Sequence, residues 1–196
     1  MRFEPDRPLH DRYQVDHEFL DAATGREVVT IGRTVNAFFR WEFNSCETLV
    51  KAGAVHPIDY ANACPDVSLI SLHYYFPWAI KALLRWTVFC CVTGRSMHVA
   101  MDPEPWFAVG DSDRGYAEKL DAYRTLADDY FEVEAYQEFC ERQLAHVDDV
   151  VADYFASPEF DELLVQTVTS AFPPREHDMF VPHYRGLVAA WVGDQH

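Results

Sequence analysis

WAIKALLRWTVFCC, residues 78–91, decides the class of this fold. It is apolar almost all round, the composition of a helix surrounded by other elements. Pro77 suits the first position of that helix, and Thr93-Gly94 suits its end, so the reading is a helix from Trp78 to Val92. Its only charges are Lys81 and Arg85. They make the run too short and too charged for a membrane span. They are also i, i+4 neighbours on one face. A charge in an apolar place needs a partner. One of the 32 acids, or water reached by snorkelling, is the expected one. The functional alternative is a carboxylate or phosphate on a ligand, which makes Lys81 and Arg85 the first ligand-binding candidates.

Upstream, Asp66 suits the cap of a helix that presents Leu69, Leu72, His73 and Phe76 on one face. HPIDYANACPD, residues 56–66, reads as a short turn of helix between prolines. Val35, Phe38, Phe39, Phe43, Cys46, Leu49 and Val50 fall on one broad helical stripe that Gly53 closes. Residues 13–31 alternate at Tyr13, Val15, His17 and Phe19, turn at DAATGRE, and resume with Val28, Val29 and Ile31. That predicts a small N-terminal β-hairpin, with a helix as the alternative. Residues 1–12 are polar, carry two prolines and read as a loose arm.

Downstream, residues 94–113 have no period and are expected to be a long loop. Helices are predicted over about 113–128 and 132–155, the second with Tyr136, Cys140, Leu144, Val147, Val151 and Phe155 inward. Ser157-Pro158-Glu159 has the residues of a helix start, for a helix running to Ala171. A last helix runs from about Pro174 to Val192, with Pro182 kinking or splitting it near Val181. The expectation is a mainly α, single-domain bundle of six or seven helices over residues 1–196.

The composition bounds the partners. Sixteen basic residues against 32 acidic ones leave a net charge of −16, which disfavours nucleic acid and an anionic membrane surface. The start, MRFEPDRPLH, lacks the apolar core of a signal peptide. Five cysteines without a CxxC predict a reduced, cytoplasmic protein. The 14 Phe, 10 Tyr and 5 Trp must be buried, or else form a pocket or an interface.

FPPREHDMFVPHYRGLVAAW, residues 172–191, holds the densest polar chemistry. Glu176 and Asp178 are accounted for in part by the helix dipole. His177 and His183 are six apart, which is not the spacing of a helical zinc pair. His183 shares a stripe with Phe180, Leu187, Ala190 and Trp191, so it is expected to point inward. His73, in HYYFPW, has the same character. Two inward histidines on different helices form an acid/base pair if those helices meet, so His73 and His183 are the catalytic candidates. Glu176 and Arg185 are weaker ligand-binding candidates.

DDYFE, residues 128–132, is similar to the aspartate-rich spacing with which terpene synthases hold magnesium diphosphate, and Asp148, Asp149 and Asp153 form a second cluster. In so acidic a chain a solvated face is the simpler account. No third ligand joins the histidines, so no metal is assigned and no cofactor class is indicated. There is no GxxxxGK[ST], GxGxxG or GxSxG, and Cys90 and Cys91 lie in an apolar helix that suppresses thiol reactivity.

The functional expectation is a small molecule bound or transformed in an aromatic-lined pocket. The alternative is a non-catalytic interaction module acting as a homodimer, and the third choice is a metal-holding bundle. A pocket walled by His73 or His183 favours the first. Those residues packed beneath an external apolar patch favour the second.

Overall fold

The helix starts rest on short polar signals. At Ser157 the hydroxyl accepts from the Phe160 amide at 3.2 Å, Pro158 follows, and Glu159 and Asp161 occupy the first turn. At Asp21 the carboxylate accepts from the amides of Ala23 (2.9 Å) and Thr24 (3.0 Å). The computed structural model describes residues 2–8 and 11–195. Its elements in chain order are β1 (Arg2–Phe3), β2 (Tyr13–Gln14), α1 (Ala22–Phe39), β3 (Ser45–Lys51), β4 (Ala54–Asn62), α2 (Leu69–Leu72), α3 (Phe76–Thr93), α4 (Glu104–Gly110), α5 (Tyr116–Tyr130), α6 (Val133–Gln143), α7 (Val147–Phe155), α8 (Pro158–Ala171) and α9 (His177–Gly193). One-turn 3-10 helices at His73–Tyr75 and Pro174–Glu176 lead into α3 and α9. The fold is mainly α, as expected, and the packing gathers into two units. Among the described residues no helix is long and apolar enough to cross a membrane.

The first unit takes residues up to His17, Asp66–Gly94 and those from Phe139 onward. Its core is an aromatic seam. α9 buries Phe180, Tyr184, Val188 and Trp191, one line at helical spacing. α7 adds Val147, Val151 and Phe155, and α8 adds Phe160, Leu164 and Val168. The Phe155 ring is the hub, edge-on to Phe160 (4.6 Å between centroids), to Phe76 and Trp191 (both 5.9 Å). α9 is one helix through Pro182, so of the kink or split expected near Val181 the split is absent. The predicted 132–155 helix is two, α6 and α7. A tight turn, Val147 N–H to Leu144 carbonyl at 3.0 Å, lets both of those side chains enter the core. The helix 78–91 is not central in the sense expected. Pro77 and Phe89 of α3 are buried, while Trp78, Leu84 and Val92 are exposed. β1 pairs with β2 and the Glu4 N–H donates to the Arg12 carbonyl, so residues 2–4 of the arm expected over 1–12 are tied by a short ladder, while residues 1, 9 and 10 lie outside the described residues.

The second unit takes Glu18–Pro65 and Arg95–Glu138. α1 and α5 lie together, with Ala37 and Ala127 fully buried and Arg33 paired with Asp128. Trp106 of α4 packs on Phe38 and Tyr123. Four expectations are corrected here. Residues 13–31 are not a hairpin: from Ala22 the helical alternative holds, because Asp21 caps α1. The stripe from Val35 to Val50 is not one helix. α1 ends at Phe39, Arg40 turns left-handed (φ 60), and β3 and β4 follow as an antiparallel hairpin. The connection is Ala52-Gly53, both with positive φ (51 and 76), the conformation a two-residue hairpin turn demands. Residues 56–62 of HPIDYANACPD therefore belong to β4, not to a turn of helix. The expected loop 94–113 holds α4.

Irregular backbone in this unit is fastened by a buried ion network. Arg95, 3% exposed, donates to Glu42 at 2.9 Å and to the Tyr130 carbonyl at 2.8 Å, and pairs with Glu132 at 3.3 Å. The Tyr130 hydroxyl donates to the same Glu42 oxygen at 2.8 Å, and Arg40 lies 4.5 Å over the Tyr130 ring.

Two outcomes follow for denaturant unfolding followed by tryptophan fluorescence. Phe155→Ala lowers the stability of the first unit by about 3–5 kcal/mol, the range for an aromatic lost from a packed core. Arg95→Met strands the Glu42 carboxylate and lowers that of the second unit by about 3–5 kcal/mol.

Candidate functional site

His73 closes α2 with φ 52 and ψ −128, a region hostile to any residue with a Cβ. Such strain persists only where the surroundings hold it, and it concentrates at functional places. Here the surroundings are rings. Tyr13 of β2 lies 5.0 Å from the His73 ring, and Tyr184 of α9 stacks on it at 5.8 Å and 20°. His183 meets the same Tyr184 edge-on at 5.2 Å. The helices of the two histidines thus meet, as the acid/base reading required. Tyr184 rather than His183 holds the inner line of α9, and both histidines are only half-buried.

Burial, and then the charge of His183, hold His73 below the ordinary histidine range. Burial pushes the Tyr184 phenol up to about 12. Alongside, the Tyr74 hydroxyl donates to Asp194 at 2.5 Å, and His17 lies 3.6 Å from the same carboxylate. Burial, and then that hydrogen bond, raise Tyr74. The arrangement is an aromatic–histidine stack fastening β2, the 3-10 turn and α9.

The other candidates are paired with protein groups. Lys81 and Arg85 converge on one carboxylate: Lys81 Nζ lies 2.7 Å from Asp148 Oδ1, and an Arg85 terminal nitrogen lies 2.8 Å from Oδ2. Lys81 also reaches Gln195 at 3.3 Å and lies 5.3 Å over the Trp191 ring. The Lys81 hydrogen bond, above all, holds Asp148 below the ordinary carboxylate range. Arg185 makes a two-pronged bond to Asp161 at 2.5 and 2.6 Å on the surface. Glu176 faces Arg175 at 3.4 Å. The acids of DDYFE diverge, Asp128 to Arg33 and Glu132 to Arg95. Among the described residues no three His, Cys, Asp or Glu side chains gather as a metal would need.

Among the described residues, two clefts lie in the first unit. A cleft of about 420 Å³ is lined by Val67, Ser68 and Leu69, by Phe76 and Ile80 of α3, by Tyr154 and Phe155 of α7, and by Phe160, Leu163, Leu164 and Thr167 of α8. Its lining carries no charged side chain. Neither His73 nor His183 forms part of it. A second cleft, about 360 Å³, sits across Phe160 and Leu164 and includes Arg185 and Asp161. Comparison with family models, curated proteins and solved structures finds no significant match. The site must therefore be read from its own chemistry.

Sequence reasoning missed the rim of the 420 Å³ cleft, Tyr154 and Leu163, both exposed. The signal was present. Each directly precedes an inward residue, Phe155 and Leu164, so the apolar stripe is one residue wider there than burial alone needs.

The depressed His73 fixes the sign of a pH effect. The unfolded chain binds a proton here as pH falls through about 6.5, whereas the folded chain binds it only at lower pH. His73 is thus neutral to stability above that range and costs stability below it. Between pH 7.5 and 5.5, wild type should lose unfolding free energy more steeply than His73→Gln, measured by urea titration at each pH.

Proposed function

We propose that the first unit is a receptor for an uncharged, mainly apolar small molecule, bound in the cleft between α3, α7 and α8. One observation carries this reading: the cleft has the volume of a ligand site, about 420 Å³, and no charged residue in its lining. An anion or cation there would lose its hydration without finding a counter-charge. The two cations of α3, Lys81 and Arg85, are held by Asp148.

The rings of Phe76 and Phe160, 25° apart in plane, favour a flat ligand. Ser68 and Thr167 spend their hydroxyls locally, Ser68 on the α2 cap and Thr167 on the Leu163 carbonyl at 2.8 Å. Tyr154 remains as the polar handle that could select one orientation. His73 and His183 lie outside this lining, so binding is favoured over transformation, and the histidines serve the stack that supports α9. The cysteine usage supports the cytoplasm as the place of action, and the −16 charge supports the absence of nucleic-acid and membrane partners.

The test uses the neutral fluorophore N-phenylnaphthylamine, with native mass spectrometry of freshly purified protein to find any ligand carried through. Wild type binds the probe. Leu163→Glu, which sets a charge on the rim, weakens it by about tenfold or more. Tyr154→Phe weakens a hydrogen-bonding ligand by about three- to tenfold. His73→Ala and His183→Ala change affinity by less than about twofold. Binding lost in the histidine variants and kept in Leu163→Glu would move the site to the histidine stack.

A further inference from the structure

The β3–β4 hairpin is a two-stranded sheet, and such a ribbon is marginal by itself. Its register is Lys51 opposite Ala54, Val50 opposite Val55, Leu49 opposite His56 and Thr48 opposite Pro57. In a hairpin with a two-residue turn, the residues flanking the turn exchange hydrogen bonds and every second pair along the ladder does so. Lys51 and Leu49 therefore spend their main-chain groups on β4. Those of Val50 and Thr48 point the other way, to the outer edge of β3. Among the described residues, no backbone hydrogen bond outside the hairpin engages residues 45–51. The outer edge of β4 is different. Pro57 lies at a non-bonded position, so the N–H it lacks is missing from that edge. β3 is thus the edge left open for pairing.

We infer that the β3 edge pairs antiparallel with β3 of a second copy of this chain, about a two-fold axis at Leu49. In that register Thr48 exchanges hydrogen bonds with Val50 of the second copy, which uses the main-chain groups that β4 leaves free. The axis passes through a non-bonded pair, where side chains come closest, so Leu49 meets Leu49. Leu49 is 58% exposed in the single chain. On the same face Glu47 stands opposite Lys51 of the second copy, and the symmetry makes that ion pair twice.

Neighbouring registers lose this match. A two-fold axis at Thr48 sets Glu47 against Leu49 and Lys51 against Ser45. One at Val50 sets Lys51 against Leu49. Charges on an open edge normally deter pairing. Here the same two charges deter other strands and other registers while admitting one. Within the single hairpin Glu47 stands opposite Asp59, so its charge finds no favourable partner across the ladder until the second copy arrives.

The experiment is sedimentation velocity of the full chain over a concentration series, with circular dichroism as the check on folding. Wild type should show a reversible monomer–dimer equilibrium. Glu47→Lys and Lys51→Glu each set like charges opposite one another twice and raise the dimer Kd by at least about tenfold. Glu47→Lys also gains Asp59 as a partner within its own hairpin, so loss of the dimer cannot be put down to loss of the strand. An equimolar mixture of the two variants should recover the dimer as a mixed pair, because every Glu then faces a Lys. The double variant E47K/K51E should recover it alone. Val50→Pro, which deletes an edge N–H, should be monomeric. A wild type that stays monomeric at the highest soluble concentration overturns the inference. So does a dimer indifferent to either single swap, or a mixture of the two that does not recover. None of these outcomes depends on ligand binding in the first unit.

Discussion

The carboxylate of Asp148 takes both cations of α3, and the character of the first unit depends on that choice. Lys81 at 2.7 Å and Arg85 at 2.8 Å hold the two oxygens of one side chain. α3 is thereby fastened to α7 by charge at one place and by rings at another, where Phe76 meets Phe155. Two cations sharing one anion leave a local excess of positive charge. Partial exposure of all three side chains to water keeps that tolerable. The consequence for function is by exclusion. With Lys81 and Arg85 turned to Asp148, the cleft lined by Ile80 and Phe76 is left to apolar groups and hydroxyls. A neutral ligand is the class that such a lining favours.

The two units are held by opposite means. The first is an aromatic seam around Phe155, with α9 as its spine. The second has a smaller apolar core around Trp106, Ala37 and Ala127, and ties its irregular segments with the Arg95–Glu42–Tyr130 network. A buried ion pair adds less stability than its geometry suggests, because desolvation offsets much of the attraction. Its value here is directional. Arg95 satisfies a backbone carbonyl and two carboxylates at once, which few apolar residues in a loop could replace.

What was legible in the sequence was what local chemistry controls. Ser157-Pro158-Glu159 announced α8, and Pro77 and Gly94 bracketed α3. The mainly helical class followed from these periods. The failures came where two local signals competed. Asp21 can open a turn or cap a helix, and only the packing of α1 on α5 selects the cap. The apolar residues from Val35 to Val50 fit a helical stripe by spacing. The left-handed Arg40 and the Ala52-Gly53 turn break it, and neither is marked by a proline. At the candidate site, the sequence made the acid/base pair conditional on the two helices meeting; His73 and His183 each lie against Tyr184. Their separation from the cleft was not legible, because cleft walls depend on which helix faces open outward. Lys81 and Arg85 found the bland partner that a chain with 32 acids made probable, although nothing in the spacing singled out Asp148.

The most direct measurement is a nuclear magnetic resonance titration of isotope-labelled protein with a neutral aromatic ligand. Resonances of Phe76, Tyr154, Leu163 and Thr167 are predicted to shift together and saturate at one stoichiometric equivalent, with those of His73 and His183 unmoved. Shifts centred on His73, His183 and Tyr13, with the cleft residues silent, would contradict the account and return the histidine stack to the place of the binding site.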